Sequence, residues 1–190
     1  MFDFSSYYDM VAQAMPSGAR LCEVGVANGD SALHLAQKMK ERSKSFTLYM
    51  VDNMDYGKYF QMKTIYENII KSGLGEYIEV IPYDSLEACA KFNDGFLDFV
   101  FIDSSHLYEQ TKKEIPAWYN KVKDLGYLAG HDYNAPEVNQ AVNEVIPKTI
   151  TRNDIPDRNF APEQFLHYAE TERNYGVWYV QKDFYKHLNK

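Results

Sequence analysis

The chain has 190 residues, with 20 Lys+Arg against 27 Asp+Glu for a formal charge of -7, and 45% of its residues are hydrophobic. A chain of this length buries about 70% of its unfolded surface, so one domain can hold a core without disulfides or a structural metal. The acidic balance argues against tracking a nucleic-acid backbone, no 18-residue uncharged run offers a membrane span, and two cysteines, Cys22 and Cys89, are too few for a disulfide framework.

The first residues, Met1-Phe2-Asp3-Phe4, carry no basic region followed by an apolar stretch, so a cytoplasmic protein is expected. Residues 4–15 read as a helix, closed by the turn formers Pro16-Ser17-Gly18. A strand follows over Leu21 to Gly25, then a loop over Val26 to Asp30, then a helix opening at Ser31 with apolar residues at helical spacing. Phe46 to Val51 reads as the second strand. Lys58 to Lys71 reads as a helix stopped by Gly73, and Tyr77 to Ile81 as the third strand. Asp84-Ser85 opens a short helix.

Phe96 to Ile102 is an almost continuous apolar and β-branched run, the pattern of a strand buried on both faces, and it stops abruptly at Asp103-Ser104-Ser105-His106. A helix through Trp118, a fifth strand over Gly126 to Gly130 and a helix over Glu137 to Ile146 complete the regular part. Strands alternating with helices predict a parallel sheet with crossover helices. Beyond Thr149 the pattern weakens into a polar, turn-rich stretch, either a substrate-facing insertion or a long connection. Tyr175 to Val180 then reads as a last strand.

Glu23-x-Gly25-x-x-x-Gly29 lies between a strand and a helix, where glycines let backbone approach a ligand. It lacks the Gly-Lys-Ser/Thr ending of a phosphate loop, and its spacing differs from Gly-x-Gly-x-x-Gly. Asp52 ends the second strand 27 residues after Gly25, placed to accept hydrogen bonds from the hydroxyls of a ribose. Simple turns and helix caps are the competing structural reading of each residue taken singly.

Through Glu23-Val24-Gly25-Val26-Ala27-Asn28-Gly29-Asp30-Ser31 and Val51-Asp52 the sequence resembles the class I S-adenosylmethionine-dependent methyltransferases, over roughly residues 20–146. The resemblance implies a Rossmann-like, doubly wound α/β sheet, mostly parallel with an antiparallel C-terminal strand and helices on both faces. It implies one domain, with residues 1–18 as an N-terminal cap, 19–146 as the cofactor-binding core and 147–190 as C-terminal strands. The implied cofactor is S-adenosyl-L-methionine, contacted by Glu23, Gly25, Val26, Asn28, Gly29, Asp52, Asn53, Asp84, Ser85 and Asp103. Gly25 and Gly29 would line its methionine end, Glu23 would support the loop, and Asp84-Ser85 would meet the adenine.

Parallel strands deliver their carboxyl ends to one edge of the sheet, so Asp103 and His106 after strand four meet His131, Asp132 and Asn134 after strand five. Two carboxylates with imidazole beside them can hold a divalent cation. Ile102 to Glu109 and Leu128 to Tyr133 resemble the methyltransferase subgroup called domain 24, whose relatives include metal-dependent sugar O-methyltransferases. That resemblance implies Asp103 and Asp132 around Mg2+ or another divalent cation, and His106 with Asp103 as catalytic residues, with His131 beside them as a further candidate ligand. His131 departs from the carboxylate of the sugar enzymes, and a hydroxylase branch exists in the same subgroup. The structural alternative is Asp103 as a helix cap and His131-Asp132 as a buried pair.

The expected activity is O-methylation of a small hydroxylated acceptor such as a sugar or polyol. A nicotinamide-dependent oxidoreductase is a competing reading, disfavoured by glycine spacing and the lack of a Tyr-x-x-x-Lys pair. A binding protein without catalysis is another. Tyr7, Tyr8 and Tyr133 are expected to cover the acceptor pocket, His34, His167 and His187 to be surface or packing residues, and a homodimer could close the pocket.

Overall fold

Alternation of side chains along each strand sends one set of residues to each face of a sheet, and the sheet here is apolar on both faces. The computed structural model describes residues 4–55, 58–146 and 176–182. Its strands are β1 (Ala19–Val24), β2 (Phe46–Val51), β3 (Ile78–Ile81), β4 (Leu97–Ile102), β5 (Val122–Gly130) and β6 (Trp178–Gln181). The helices are α1 (Ser5–Ala14), α2 (Asp30–Glu41), α3 (Lys58–Ser72), α4 (Ser85–Cys89), α5 (Tyr108–Lys121) and α6 (Pro136–Val145).

The six strands form one sheet in the order β3-β2-β1-β4-β5-β6. Neighbours are parallel except β5 and β6, where Leu128 faces Val180 and Gly130 faces Trp178 in antiparallel register. The mixed α/β sheet with its antiparallel C-terminal strand agrees with the architecture read from the sequence. Leu21, Leu48, Phe99 and Phe101 point to the face packed by α1, α2 and α3. Their neighbours Cys22, Val51, Val100 and Ile102 point to the opposite face, with Ala88, Ile115, Trp118 and Val142 of α4, α5 and α6. Both cysteines are free and buried.

Boundaries moved where local patterning was weak. β1 begins at Ala19 because Ala19 and Arg20 already pair with Phe46 and Thr47, ahead of the apolar run. β5 reaches back to Val122, which pairs with Leu97 across a register shift before Phe99, so a polar stretch joins a strand only through its partner. Residues 147–175, with the proposed insertion and His167, and His187 nearer the end, lie outside the described residues. Among the described residues no helix is long and apolar enough to cross a membrane.

Order β2-β1-β4 puts β1 at the point where successive connections leave in opposite directions, the place where open α/β sheets form a ligand crevice. Trp118 supports that edge from below. It is fully buried, its ring lies 5.6 Å from that of Phe92, and its indole N–H donates to Ser85 Oγ at 2.9 Å. Trp118→Ala is expected to lower unfolding free energy by about 3–5 kcal/mol. Leu107→Ala, at an exposed side chain, should stay within about 0.5 kcal/mol, both read from urea denaturation midpoints and slopes.

Candidate active site

β1 ends in a turn that only glycine fits. Gly25 has φ +87°, and a Cβ there would stand 2.2 Å from the Asp103 carbonyl oxygen. The ends of three strands are sewn together, β4 to β1 by Asp103 N–H donating to Val24 O at 2.7 Å and β1 to β2 by Gly25 N–H donating to Val51 O at 2.8 Å. Gly29 also adopts a left-handed conformation, φ 85°, immediately before α2. The crevice above these ends is a cavity of about 800 Å³.

Its wall brings together nearly all the residues expected from the sequence: Gly25, Val26, Asn28, Asp52, Asn53, Asp84, Ser85, Asp103, His106, His131 and Asp132. Glu23 and Gly29 are absent from that wall. Asp52 is buried and works on the loop itself. Its Oδ2 accepts from the Val26 and Ala27 N–H groups at 3.0 Å each, and its Oδ1 from Met54 N–H at 2.8 Å and Gln61 Nε2 at 3.0 Å. Asp84 caps α4, accepting from Leu86 N–H at 2.9 Å, so the capping role and the place on the wall hold together.

Glu23 is a buried carboxyl on the central strand. One oxygen accepts from the Tyr8 hydroxyl at 2.8 Å and the other from the Ser31 hydroxyl, which fastens α1 and α2 to the strand that carries the loop. Burial pushes its pKa up to about 8 even though both hydrogen bonds pull the other way. Glu114 of α5 is also fully buried, and burial raises its pKa as well. It accepts from Ser104 Oγ at 2.8 Å and Gln110 Nε2 at 3.1 Å, and it lines the cavity. Sequence reasoning missed Glu114. The only trace is Gln110 one helical turn before it, and that spacing carries no information about burial.

Across the mouth of the cavity, carboxylates and imidazoles alternate. His106 Nε2 lies 2.7 Å from Asp132 Oδ2 and 4.0 Å from Asp103 Oδ1. His131 Nδ1 lies 3.2 Å from Asp132 Oδ2 and 3.5 Å from Asp103 Oδ1. Burial pushes the Asp103 carboxyl up, but the His106 and His131 imidazoles outweigh it and hold the group below its ordinary value. Reciprocally, Asp103 and then Asp132 raise His106 above the usual imidazole value. The sequence predicts that these residues meet at the ends of the fourth and fifth strands. It does not predict their interleaving, because that depends on Asp132 taking φ 55°.

The tyrosines are placed differently from the expectation. Tyr7 and Tyr8 are fully buried under the sheet and Tyr133 is half-buried with its hydroxyl donating to Asn143 Oδ1 at 3.1 Å; none lines the cavity. Phe4, just ahead of α1, takes that place, its ring 4.8 Å from the His131 ring. A helical period identifies the apolar stripe of α1, and that stripe faces the core. His34, the remaining histidine among the described residues, is part-buried with Nε2 2.8 Å from Asp9 Oδ1 and takes no part in the site.

Residues 22–133 match the family model of a methyltransferase domain, number 24 of that series. The chain belongs to this methyltransferase family. No curated protein matches it in sequence. Among solved structures it is similar to a Streptococcus mutans protein described as a methyltransferase and crystallised with S-adenosylhomocysteine (SAH). The identity is 10%, 96% of this chain and 98% of that chain are covered, and the TM-score is 0.65. An rRNA methylase from Streptococcus thermophilus gives 13% identity, 96% and 97% coverage and a TM-score of 0.64. The [4+2]-cyclase SpnF gives 14% identity, 94% and 80% coverage and a TM-score of 0.61. At such identities these likenesses establish the class I methyltransferase fold.

The raised Glu23 pKa fixes the sign of one pH effect. An unfolded glutamate releases its proton near 4.5, while the folded group keeps it to about 8, so the native state binds more protons between those values. Stability attributable to Glu23 is therefore fully present below pH 4.5 and is lost as pH rises to about 8. Glu23→Gln should flatten this slope, measured as the urea midpoint of both proteins at intervals from pH 5 to pH 8.

Proposed function

We propose that the protein transfers a methyl group from S-adenosyl-L-methionine to a hydroxyl oxygen of a small sugar, polyol or similar acceptor. The observation that carries this reading is the charge of the cavity wall. Among the described residues it holds six aspartates (Asp30, Asp52, Asp55, Asp84, Asp103, Asp132) and Glu114, with no lysine or arginine. Such a wall attracts a sulfonium and an ammonium and repels phosphate. A nicotinamide dinucleotide carries a pyrophosphate, which this wall disfavours. Membership in a methyltransferase family and a fold neighbour crystallised with SAH support the same cofactor.

When bound, the cofactor supplies a methyl carbon for in-line displacement, passing from sulfur to oxygen as the C–S bond breaks and the C–O bond forms. The chain's own residues then have two tasks. The first is positioning. The Gly25 turn and the Asp52-braced loop fix one end of the cavity relative to the Asp103–His106 end, and alignment of this kind contributes roughly 7–11 kcal/mol. The second is taking the hydroxyl proton. His106 is the base: its imidazole accepts that proton, and the adjoining carboxylates of Asp132 and Asp103 stabilise the cation formed.

Asp103, His131 and Asp132 also offer one donor atom each within 4.8 Å of one another, a set that fits a divalent cation. A cation held there would lower the pKa of the acceptor hydroxyl. The [4+2]-cyclase neighbour shows that this fold serves other chemistry, so transfer itself must be measured.

Two measurements test the reading. Calorimetric titration with SAH is expected to show micromolar binding by the wild-type protein and by His106→Ala alike. Absence of binding to the wild type would remove the cofactor assignment. Transfer of radiolabelled methyl into a library of hydroxylated compounds is expected for the wild type and should fall by about 10²–10⁴-fold in His106→Ala. Equal turnover by the two proteins would remove the base. A wild type that binds SAH and methylates nothing in the library would favour the non-catalytic reading.

A further inference from the structure

The donor atoms of the Asp103, His131 and Asp132 side chains are unlike those of an all-oxygen site. Two are carboxylate oxygens and the third is an imidazole nitrogen, Nδ1 of His131, 3.2 Å from Asp132 Oδ2 and 3.5 Å from Asp103 Oδ1. Donors that share one cation at about 2.0–2.2 Å stand roughly 3–3.5 Å apart at adjacent coordination positions. Both of these separations fall at that spacing, and all three donors lie within 4.8 Å of one another.

The arrangement is also held from behind. His131 N–H donates to Ile102 O at 3.0 Å, Asp103 N–H to Val24 O at 2.7 Å, and Phe4 lies against the imidazole, so the backbone of both ligand-bearing turns is fixed by the sheet. His131 is buried, and Asp103 and Asp132 are partly open to the cavity, which leaves room on the cavity side for water or an acceptor oxygen. Three protein donors with one open side is the layout of a zinc-type catalytic site.

Donor chemistry then selects among cations. Magnesium requires a near-ideal octahedron of hard oxygen ligands and keeps several waters, whereas imidazole suits zinc and its transition-metal neighbours. We propose that Asp103, His131 and Asp132 form a site for a borderline transition-metal dication of the zinc type in preference to magnesium, with His131 as the residue that sets the preference. The assignment rests on the methyl-transfer reading for its catalytic meaning, and on donor geometry alone for the binding. His106 stays outside the ligand set. It is the most exposed member of the cluster, its side chain 61% accessible, and its Nε2 lies 2.7 Å from Asp132 Oδ2.

The test uses the full chain stripped with a chelator and dialysed, titrated calorimetrically with ZnCl2 and separately with MgCl2, with no cofactor present. The wild type is expected to bind one Zn2+ at least about 100-fold more tightly than Mg2+. Asp103→Asn should weaken Zn2+ binding. His131→Asp should shift the Zn2+/Mg2+ preference toward magnesium by about tenfold or more, because it restores an all-oxygen set. A visible spectrum of the Co2+-loaded wild type that changes in His131→Asp reports directly on loss of the imidazole ligand. If thermal melting shows that His131→Asp does not fold, His131→Asn removes the same ligand.

Equal affinity for the two cations, no binding of either, or Zn2+ binding indifferent to both substitutions would overturn the proposal and leave the cluster an ion-pair network. Failure of SAH binding would remove the methyl-transfer reading while leaving the metal titration intact. The two failures are therefore separable.

Discussion

The close approach of β1 and β4 at their carboxyl ends sets the geometry of everything above them. Gly25 turns with a left-handed φ where any Cβ would run into the Asp103 carbonyl, and the Asp103 N–H closes onto Val24 O. Two loops from distant parts of the chain thereby share one wall. The glycine loop contributes the closely approachable backbone, and the turn after β4 contributes Asp103 and His106 within the same cavity. Any wider spacing would separate the glycine loop from the turn after β4.

Charge is managed in two ways around this junction. Glu23 is buried beneath it and holds Tyr8 and Ser31, so the helices on one face are tied to the strand that carries the loop. Its elevated pKa reflects the cost of placing a carboxylate in a dry environment, and protonation relieves that cost. At the mouth, the His106 and His131 imidazoles hold the Asp103 carboxyl below its ordinary value, and both also stand within reach of Asp132. Removing one imidazole would leave two like charges facing each other across a few ångströms.

The acidic wall follows from where the acids sit in the fold. Asp52, Asp84, Asp103 and Asp132 each follow the end of a different strand, and α2 starts with Asp30. Parallel strands collect all these ends on one edge, so residues spread over a hundred positions act as one electrostatic surface. Some of those acids serve the protein first. Asp52 braces the loop and Asp84 caps a helix, while both also line the cavity.

Much of this was legible in the sequence. The apolar run before Asp103, the glycines after Val24 and the alternation of periods two and 3.6 identify the parallel sheet, the loop and the strand ends, because these features are local. The resemblance over roughly residues 20–146 implied the cofactor class. Burial of Glu114, the retreat of Tyr7 and Tyr8 into the core, Phe4 on the cavity wall and the extension of β5 to Val122 were not legible. Each depends on which distant segment packs against the residue, and periodicity states only that a face is apolar. The sequence by itself determined the fold class, the loop and the membership of the His–Asp cluster. Only the tertiary structure decided that the two imidazoles interleave with the two carboxylates, because that order comes from the meeting of two turns, one with a left-handed residue at Asp132, across neighbouring strands.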